Sequence, residues 1–231
     1  MDNLLSQQKS GQQQSLKQHA LKKHALSKHY VVGYGSLMSH DSRLRYSQID
    51  AEGIPVHVTG WQRSWNMNCP DNRYTCVGAL PGGQTETLNA MLVPVAEITP
   101  ALQQREQSYQ FTQLDLASIQ AHNAEQDAEL HAQLNDAVVW ICQVEQPGTA
   151  STNFPIFQTY VDTCLSGCLQ HVGVDFAMHF IERTRGWQGH WVNDRHEPRY
   201  PRLAALDSDM HLRIDELLEQ AGLLQFRQES P

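Results

Sequence analysis

The chain has 231 residues, of which 40% are hydrophobic, a composition that supports a well-buried globular core. Its net charge of −8 disfavours a general binder of nucleic acid or of anionic membranes, because both partners require a positive surface. The sequence lacks the roughly 20 consecutive apolar residues of a membrane span, and residues 1–29 lack the apolar centre of a signal peptide. We therefore expect a cytoplasmic protein whose five cysteines are reduced thiols, not a disulfide framework.

Residues 1–29 form a separate polar segment, in which five lysines stand against one aspartate, a local charge of +4 (5 − 1). A five-residue repeat places His19, His24 and His29 at equal intervals. Along a helix, five residues turn by about 140° beyond a full turn, so these imidazoles diverge instead of converging on a metal ion. We predict a disordered or frayed-helix tail, with binding of a metal or of an acidic partner as the alternative.

Short apolar runs bounded by turn residues predict strands over residues 30–34, 56–68, 75–80 and 88–95. The last three, separated by turns rich in proline, glycine and asparagine, predict an antiparallel meander. The run Val138-Val139-Trp140-Ile141 predicts a central strand buried on both faces. Residues 100–134 are polar and are expected to be helical in pieces.

Apolar residues that recur at three and four positions predict a helix from about residue 152 to Gly173, with Thr152 or Asn153 as its cap. Two further helices are predicted over residues 175–184 and 209–221, the second ending at Gly222. Strands first and helices later indicate an α+β fold. We place one domain over residues 30–231, with a core at about 30–145 and a helical extension at about 152–225.

Two glycines follow the first predicted strand, in Gly33-Tyr34-Gly35-Ser36-Leu37. Glycine permits a positive φ and a close approach of the backbone to a ligand, and successive N–H groups at such a turn can form an anion-binding nest. A carboxylate could bind there. The alternative is an ordinary tight turn, because short glycine patterns are weak signals.

Four segments together are more specific than any one of them. They are Tyr34-Gly35-Ser36-Leu37, Gly60-Trp61-Gln62-Arg63, Val77-Gly78-Ala79-Leu80-Pro81-Gly82-Gly83 and Arg105-Glu106-Gln107-Ser108-Tyr109. In order and approximate spacing, over about a third of the chain, they resemble the γ-glutamylcyclotransferase-like superfamily. Judged without this resemblance, Glu106 would be read as a solvated surface charge.

The resemblance implies a small mixed, highly twisted β-barrel flanked by helices. It also implies an enzyme that cyclises a γ-glutamyl amino acid, peptide or amine to 5-oxoproline and expels the amine, with no metal or organic cofactor. By the same resemblance Tyr34, Gly35, Ser36 and Leu37 bind the γ-glutamyl group and Glu106 is the acid and base. The motif segments also hold two possible substrate contacts, Arg63 and Tyr109.

The chain departs from the family pattern at Gln103, Ala90 and Gly33, which leaves the catalytic pair intact and blurs the choice of substrate. It also carries an added region, residues 187–202, rich in arginine and aromatic residues. Arg195 and Arg199 could pair there with a second carboxylate of a γ-glutamyl peptide. The alternative is an internal salt-bridge and aromatic clamp that fastens the C-terminal helices to the core.

Cys164, Cys168 and His171 share one face of the predicted helix and resemble three metal ligands, but their neighbours on that face are apolar, so we favour buried core thiols. Cys69 and Cys76 flank a turn and could approach each other. Two other functions stay open for the whole chain: a non-catalytic binding module on the same fold, and an enzyme that hydrolyses a different amide. The small-molecule partner is expected to be a γ-glutamyl compound.

Overall fold

A computed structural model describes residues 29–96 and 98–229. The predicted tail, except for His29, therefore lies outside the described residues. The strands are β1 (His29–Gly33), β2 (Ile54–Thr59), β3 (Trp61–Cys69), β4 (Tyr74–Pro81), β5 (Thr87–Val95), β6 (Gln110–Gln113), β7 (Ile119–Ala121), β8 (Val138–Gln143), β9 (Ile156–Phe157), β10 (Thr184–Arg185), β11 (Trp191–Asn193) and β12 (Arg227–Glu229). The α-helices are α1 (His40–Ser47), α2 (Pro100–Arg105), α3 (Asp127–Leu134), α4 (Gln158–His171), α5 (Val174–Arg183) and α6 (Ser208–Gln220).

Nine of the strands form one mixed sheet in the order β10-β3-β4-β8-β1-β5-β2-β7, with β6 pairing on β8. Strand β1 lies antiparallel to β5 and parallel to β8. The predicted central place of β8 is confirmed, but burial on both faces is wrong: Val139 and Ile141 are fully buried, whereas Val138 and Trp140 on the opposite face are only partly buried. Three short parallel strands, β12, β11 and β9, form a second sheet.

The α+β class with a twisted mixed sheet flanked by helices is confirmed, but the sheet does not close into the expected barrel. In the described residues the terminal strands β10 and β7 do not pair with each other. They contain only two and three residues, so each offers few ladder hydrogen bonds for closure. The sheet instead branches at β8, which pairs with β4, β1 and β6.

The strand predicted over residues 56–68 is two strands, because Gly60 adopts a φ of +81° between β2 and β3. The predicted meander is correct for β3 and β4, which form an antiparallel hairpin. It is wrong for β5, which pairs with β1 and β2 instead of β4. The place beside β4 is taken by β8, whose apolar side chains need a central position.

The stretch from residue 100 to 134 is helical in pieces, as predicted, but it also contains the short strands β6 and β7. Helices α5 and α6 match the predictions to within one residue at each end, and α4 ends before Gly173, which has a φ of +134°. The predicted cap of α4 is wrong. The helix begins at Gln158, and the buried carboxylate of Asp194 accepts hydrogen bonds from the amide (2.8 Å) and hydroxyl (2.6 Å) of Thr159 near its start.

Helix α4 is the element that presses most closely on the site described below. Its first twelve residues are buried. At Gly167 a Cβ atom would lie 2.4 Å from the Met38 carbonyl carbon and 2.5 Å from the Ser39 nitrogen, so only glycine permits this approach to the turn after β1. Among the described residues, no helix is long and apolar enough to cross a bilayer.

Candidate active site

The turn after β1 continues into a short 3₁₀ helix, Ser36–Met38. The expected positive φ is wrong: Gly35 has a φ of −130° and a ψ of −129°. The close approach is real, because a Cβ at Gly35 would lie 2.7 Å from the Tyr160 hydroxyl and 2.8 Å from a methyl group of Val77. Glycine is therefore required for space and not for backbone angle.

Two buried arginines hold the carbonyl groups of this turn. Arg63 donates to the carbonyl of Tyr34 at 3.2 Å, and Arg43 donates to the carbonyls of Leu37 at 2.6 Å and Met38 at 3.1 Å. Within the described part of the chain, the amides of Gly35, Ser36 and Leu37 donate to no protein acceptor. The turn thus keeps three adjacent N–H groups for another acceptor.

Glu106 follows α2 directly and is only 8% exposed, so it is not the solvated surface charge that its type would suggest. Its carboxylate lies 3.4 Å from Nε of Arg105, whose side chain is fully buried. Arg105 also donates to the hydroxyls of Ser36 at 2.9 Å and Ser47 at 2.8 Å. One arginine therefore links Glu106 to the glycine turn and fixes both.

Glu106 and the turn line one small cavity of about 30 Å³. Its walls are Val32, Tyr34, Gly35, Ser36, Leu37, Cys76, Val77, Glu106, Tyr109, Cys142, Tyr160 and Arg202. Two wider hollows, of about 550 and 570 Å³, lie elsewhere, and neither contains Glu106 or the turn. The small cavity is thus the candidate site because of its chemical groups, although both hollows are larger.

The cavity walls hold their phenols and thiols neutral. The hydroxyl of Tyr34 donates to the Cys142 carbonyl, and that of Tyr109 donates to the Val77 carbonyl at 2.9 Å. Burial raises the pKa of Tyr34, Tyr109 and Cys142 well above their usual values, and the charge of Glu106 adds to the effect at Cys142. Glu106 is the one carboxylate among these lining residues.

Three of the four arginine and tyrosine candidates lie outside the cavity, whereas Tyr109 lines it. Arg63 is buried and donates to Asn89, Thr184 and backbone carbonyls, so it supports the turn instead of facing a ligand. Arg195 donates to the Asp162 carboxylate from Nε at 2.8 Å and from Nη2 at 2.7 Å. Its Nη1 donates to the Asp215 carboxylate at 2.7 Å.

Arg199 is exposed, with its guanidinium carbon 4.6 Å from the centre of the Phe157 ring. The contacts of Arg195 join α4 to α6, and Arg199 covers an aromatic ring at the start of α4. These contacts are the ones that the clamp alternative predicts.

Comparison with known proteins gives only structural matches. No family model and no curated protein matches the chain. A solved structure described as a gamma-glutamyl cyclotransferase aligns over 81% of this chain and 98% of its own length, with 8% identity and a TM-score of 0.49. A yeast gamma-glutamyl cyclotransferase specific to glutathione aligns over 85% and 96%, with 13% identity and a TM-score of 0.39.

YkqA from Bacillus subtilis aligns over 66% of this chain with 14% identity and a TM-score of 0.47. The chain spans about half of that structure's length, 52%. The family that the sequence resembles is therefore represented among the structural matches. At these identities and TM-scores the matches carry no argument about activity, which depends on the groups in the cavity.

Sequence reasoning missed four polar or thiol side chains that line the cavity, those of Cys76, Cys142, Tyr160 and Arg202. Tyr160 looked like one more apolar position in the stripe of α4, yet its hydroxyl faces Gly35. Arg202 belongs to the arginine-rich region that the sequence marked, but spacing could not tell which of its arginines turns inward. The available signal was only the concentration of arginines beside aromatic residues.

Cys164 and Cys168 are fully buried in the core, and burial raises their pKa values, which agrees with the favoured interpretation of core thiols. Across the described residues, no group of three or more histidine, cysteine or acidic side chains is arranged to hold a metal ion. The predicted approach of Cys69 to Cys76 is confirmed, with 2.9 Å between their sulfur atoms.

Proposed function

We propose that the protein is a γ-glutamylcyclotransferase-type enzyme, which converts a γ-glutamyl amino acid, peptide or amine to 5-oxoproline and a free amine. The observation that carries this proposal is the burial of Glu106 in the same cavity as the three free amides of the glycine turn. A buried carboxylate beside backbone donors is the minimum that this reaction requires. The four-segment resemblance in the sequence supports the same reaction.

The reaction moves two protons from the attacking nitrogen to the departing one. The substrate's α-ammonium gives the first proton to the carboxylate of Glu106, and the freed amine attacks the γ-carbonyl carbon, so that a new C–N bond closes the five-membered ring. The bond from that carbon to the departing nitrogen then breaks as Glu106 delivers its proton to this nitrogen, and the regenerated carboxylate takes the second proton from the ring nitrogen and passes it to the departing amine. One positioned carboxylate can serve both steps because they occur in sequence.

The protein contributes mainly geometry, because nucleophile and electrophile belong to one molecule. The amides of Gly35, Ser36 and Leu37 are suited to hold the oxygen that becomes negative during attack. Ser36 serves as a positioning group. Its hydroxyl accepts from Arg105, and no histidine lines the cavity to activate it as a nucleophile.

A γ-glutamyl group is larger than the 30 Å³ of free space, which holds about two water molecules. Binding therefore requires side chains at the cavity to move outward. The residues that define the reaction are anchored by Arg43, Arg63 and Arg105, so their positions can persist while the opening widens.

The test is to incubate the purified protein with γ-glutamyl amino acids, γ-glutamyl peptides including glutathione, and γ-glutamylamines, and to detect 5-oxoproline. We expect product from at least one class. Glu106→Gln should lower kcat by about 100-fold or more, because general acid and base catalysis is lost. The matched control is Glu129→Gln, at an exposed glutamate of α3, which should leave kcat unchanged.

Equal product from wild type and Glu106→Gln would show that the role given to Glu106 is wrong. If no substrate class yields 5-oxoproline, the binding-module alternative should be tested next, by measuring whether the same compounds bind. Release of free glutamate in place of 5-oxoproline would instead indicate hydrolysis.

A further inference from the structure

Arg202 differs from the other arginines around the candidate site in what its guanidinium contacts. It lines the cavity together with Glu106. Its Nε atom is buried and has no hydrogen-bond partner among the described residues, and Nη2 reaches the hydroxyl of Tyr74 only at 3.5 Å. A buried donor without an acceptor costs free energy, so its presence here calls for a ligand or another explanation.

The Nε atoms of Arg43 and Arg105 also lack a hydrogen-bond partner among the described residues, but the terminal nitrogens of these two arginines are occupied. Arg105 is held by Glu106 and by serine hydroxyls, while Arg43 and Arg63 hold backbone carbonyls and do not line the cavity. Arg202, by contrast, forms no ion pair with a carboxylate within the described ranges. Among the residues that line this cavity, Arg202 is thus the arginine, and its terminal N–H groups are engaged only by the 3.5 Å contact with Tyr74.

The guanidinium remains charged in this position. Burial lowers the pKa of Arg202, but Tyr200, Tyr74 and the charge of Glu106 together raise it above the usual value. Arg202 and Glu106 line the same cavity, which therefore offers one ligand both a positive and a negative group.

A γ-glutamyl compound presents the complementary pair. Its α-ammonium and α-carboxylate are bonded to the same carbon, so each lies about 1.5 Å from that carbon and the two charges cannot separate. If the α-ammonium meets Glu106 to give up its proton, the α-carboxylate must lie close by. A carboxylate there requires a donor with positive charge, and arginine provides two parallel N–H groups.

We propose that Arg202 binds the α-carboxylate of the γ-glutamyl substrate and so orients the α-amine toward Glu106 and the γ-carbonyl. This inference rests on the proposed function and extends it to a specific recognition group. It assigns to Arg202 a carboxylate that every γ-glutamyl substrate carries, and not a second carboxylate on the departing amine. Recognition would then be strict for the α-amino acid end and permissive for the leaving group.

The experiment compares three substrates with two variants. γ-Glutamyl methylamide has only the α-carboxylate, γ-glutamylglycine has a second one, and 4-aminobutyryl methylamide has none. Arg202→Gln should lower kcat/KM for the first two by a similar factor, about 10- to 100-fold, because a charged hydrogen bond is lost. It should change the already slow reaction of the third little. Arg202→Lys should fall between wild type and Arg202→Gln, and the exposed Arg213→Gln is the matched control.

Two outcomes would overturn the inference. A defect of Arg202→Gln confined to γ-glutamylglycine would assign the residue to the second carboxylate. An equal defect on all three substrates would show that Arg202 supports the cavity and does not bind a carboxylate. Unfolding temperatures of each variant separate these outcomes from a failure to fold.

Binding of product supplies a readout that does not depend on turnover. By calorimetry, wild type should bind 5-oxoproline more tightly than 2-pyrrolidinone, which lacks the carboxylate, and Arg202→Gln should bind both equally weakly. If wild type makes no 5-oxoproline from any substrate, the proposed function fails. If it makes 5-oxoproline and Arg202→Gln keeps the full preference for 5-oxoproline over 2-pyrrolidinone, only the inference about Arg202 fails.

Discussion

Replacing Arg195 by methionine should damage stability and leave catalysis almost untouched. Arg195 makes three hydrogen bonds of 2.7 to 2.8 Å to Asp162 and Asp215, and thereby joins α4 to α6. In Arg195→Met the carboxylate of Asp162, only 3% exposed, keeps Gln158 as its close donor and loses the guanidinium, which leaves the His211 imidazole at 3.8 Å as its one remaining basic neighbour among the described residues. A buried carboxylate stranded in this way is far more costly than the loss of a surface ion pair.

The expected size follows from that burial. Breaking a buried pair by removing one partner costs about 3 to 5 kcal/mol. For a chain of this length each kcal/mol shifts the unfolding temperature by about 2 to 4 °C, so we expect a fall on the order of 10 °C. Calorimetry or circular dichroism would measure it. Adding Asp162→Asn to the variant should restore part of the loss, because the stranded charge is removed.

The effect should also depend on pH. Burial pushes the pKa of Asp215 up, but hydrogen bonds from Arg195 and Arg227 outweigh burial and hold it below the usual value. A carboxyl whose pKa is lowered by folding stabilises the protein above its unfolded pKa of about 3.9 and loses that contribution as the pH falls through its folded value. The gap in unfolding temperature between wild type and Arg195→Met should therefore be widest near neutral pH and shrink below about pH 4.

An unchanged unfolding temperature together with a raised KM would refute this reasoning and return Arg195 to the list of substrate contacts.

Two further predictions concern packing and thiol reactivity. Gly167→Ala should destabilise the protein by about 1 to 3 kcal/mol in thermal or urea unfolding, although alanine is normally the better helix former, because its Cβ would overlap the backbone of Met38. The control is Gly83→Ala, where a Cβ meets nothing within 4 Å, and a stabilised Gly167→Ala would contradict the packing argument. Among the five cysteines, Cys69 should be alkylated first by iodoacetamide, since it is partly exposed and a hydrogen bond from Cys76 lowers its pKa. Peptide mapping should identify Cys69 as the first thiol to react, and Cys69→Ser should lack this rapid reaction. Alkylation of all five cysteines at the same rate would contradict the prediction.

The pattern of neighbouring residues in the sequence predicted where most helices and strands lie. It did not predict which strands pair when they are far apart in the sequence. The helix ends at Gly173 and Gly222 were readable because glycine at a positive φ is a property of a few adjacent residues. The break at Gly60 was missed because a lone glycine in an apolar run is also compatible with a continuous strand. The partner of β5 was missed because apolar alternation marks a strand without naming its neighbour.

The candidate site shows the same division. The glycine turn and Glu106 could be paired only through the combined resemblance of four segments, and they do line one cavity. Arg202 and Tyr160 reach that cavity from residues far along the chain, on a loop and a helix whose placement depends on the whole core. The surroundings of Arg195 were not readable from the sequence, because an arginine's contacts depend on which carboxylates folding brings to it, here Asp162 and Asp215.

The narrow cavity affects whether the substrate's own amine or a water molecule attacks the γ-carbonyl. Water at about 55 M in bulk competes with an intramolecular amine for any activated carbonyl, and effective concentrations of about 10⁵ M or more favour the amine only when it is held in line. The cavity has only about 30 Å³ free before substrate enters, so an opening that widens just enough for the γ-glutamyl group leaves no place for a water molecule beside its γ-carbonyl. The tight packing of Gly35 against Tyr160 and Val77 would then direct the partition toward ring closure and away from free glutamate.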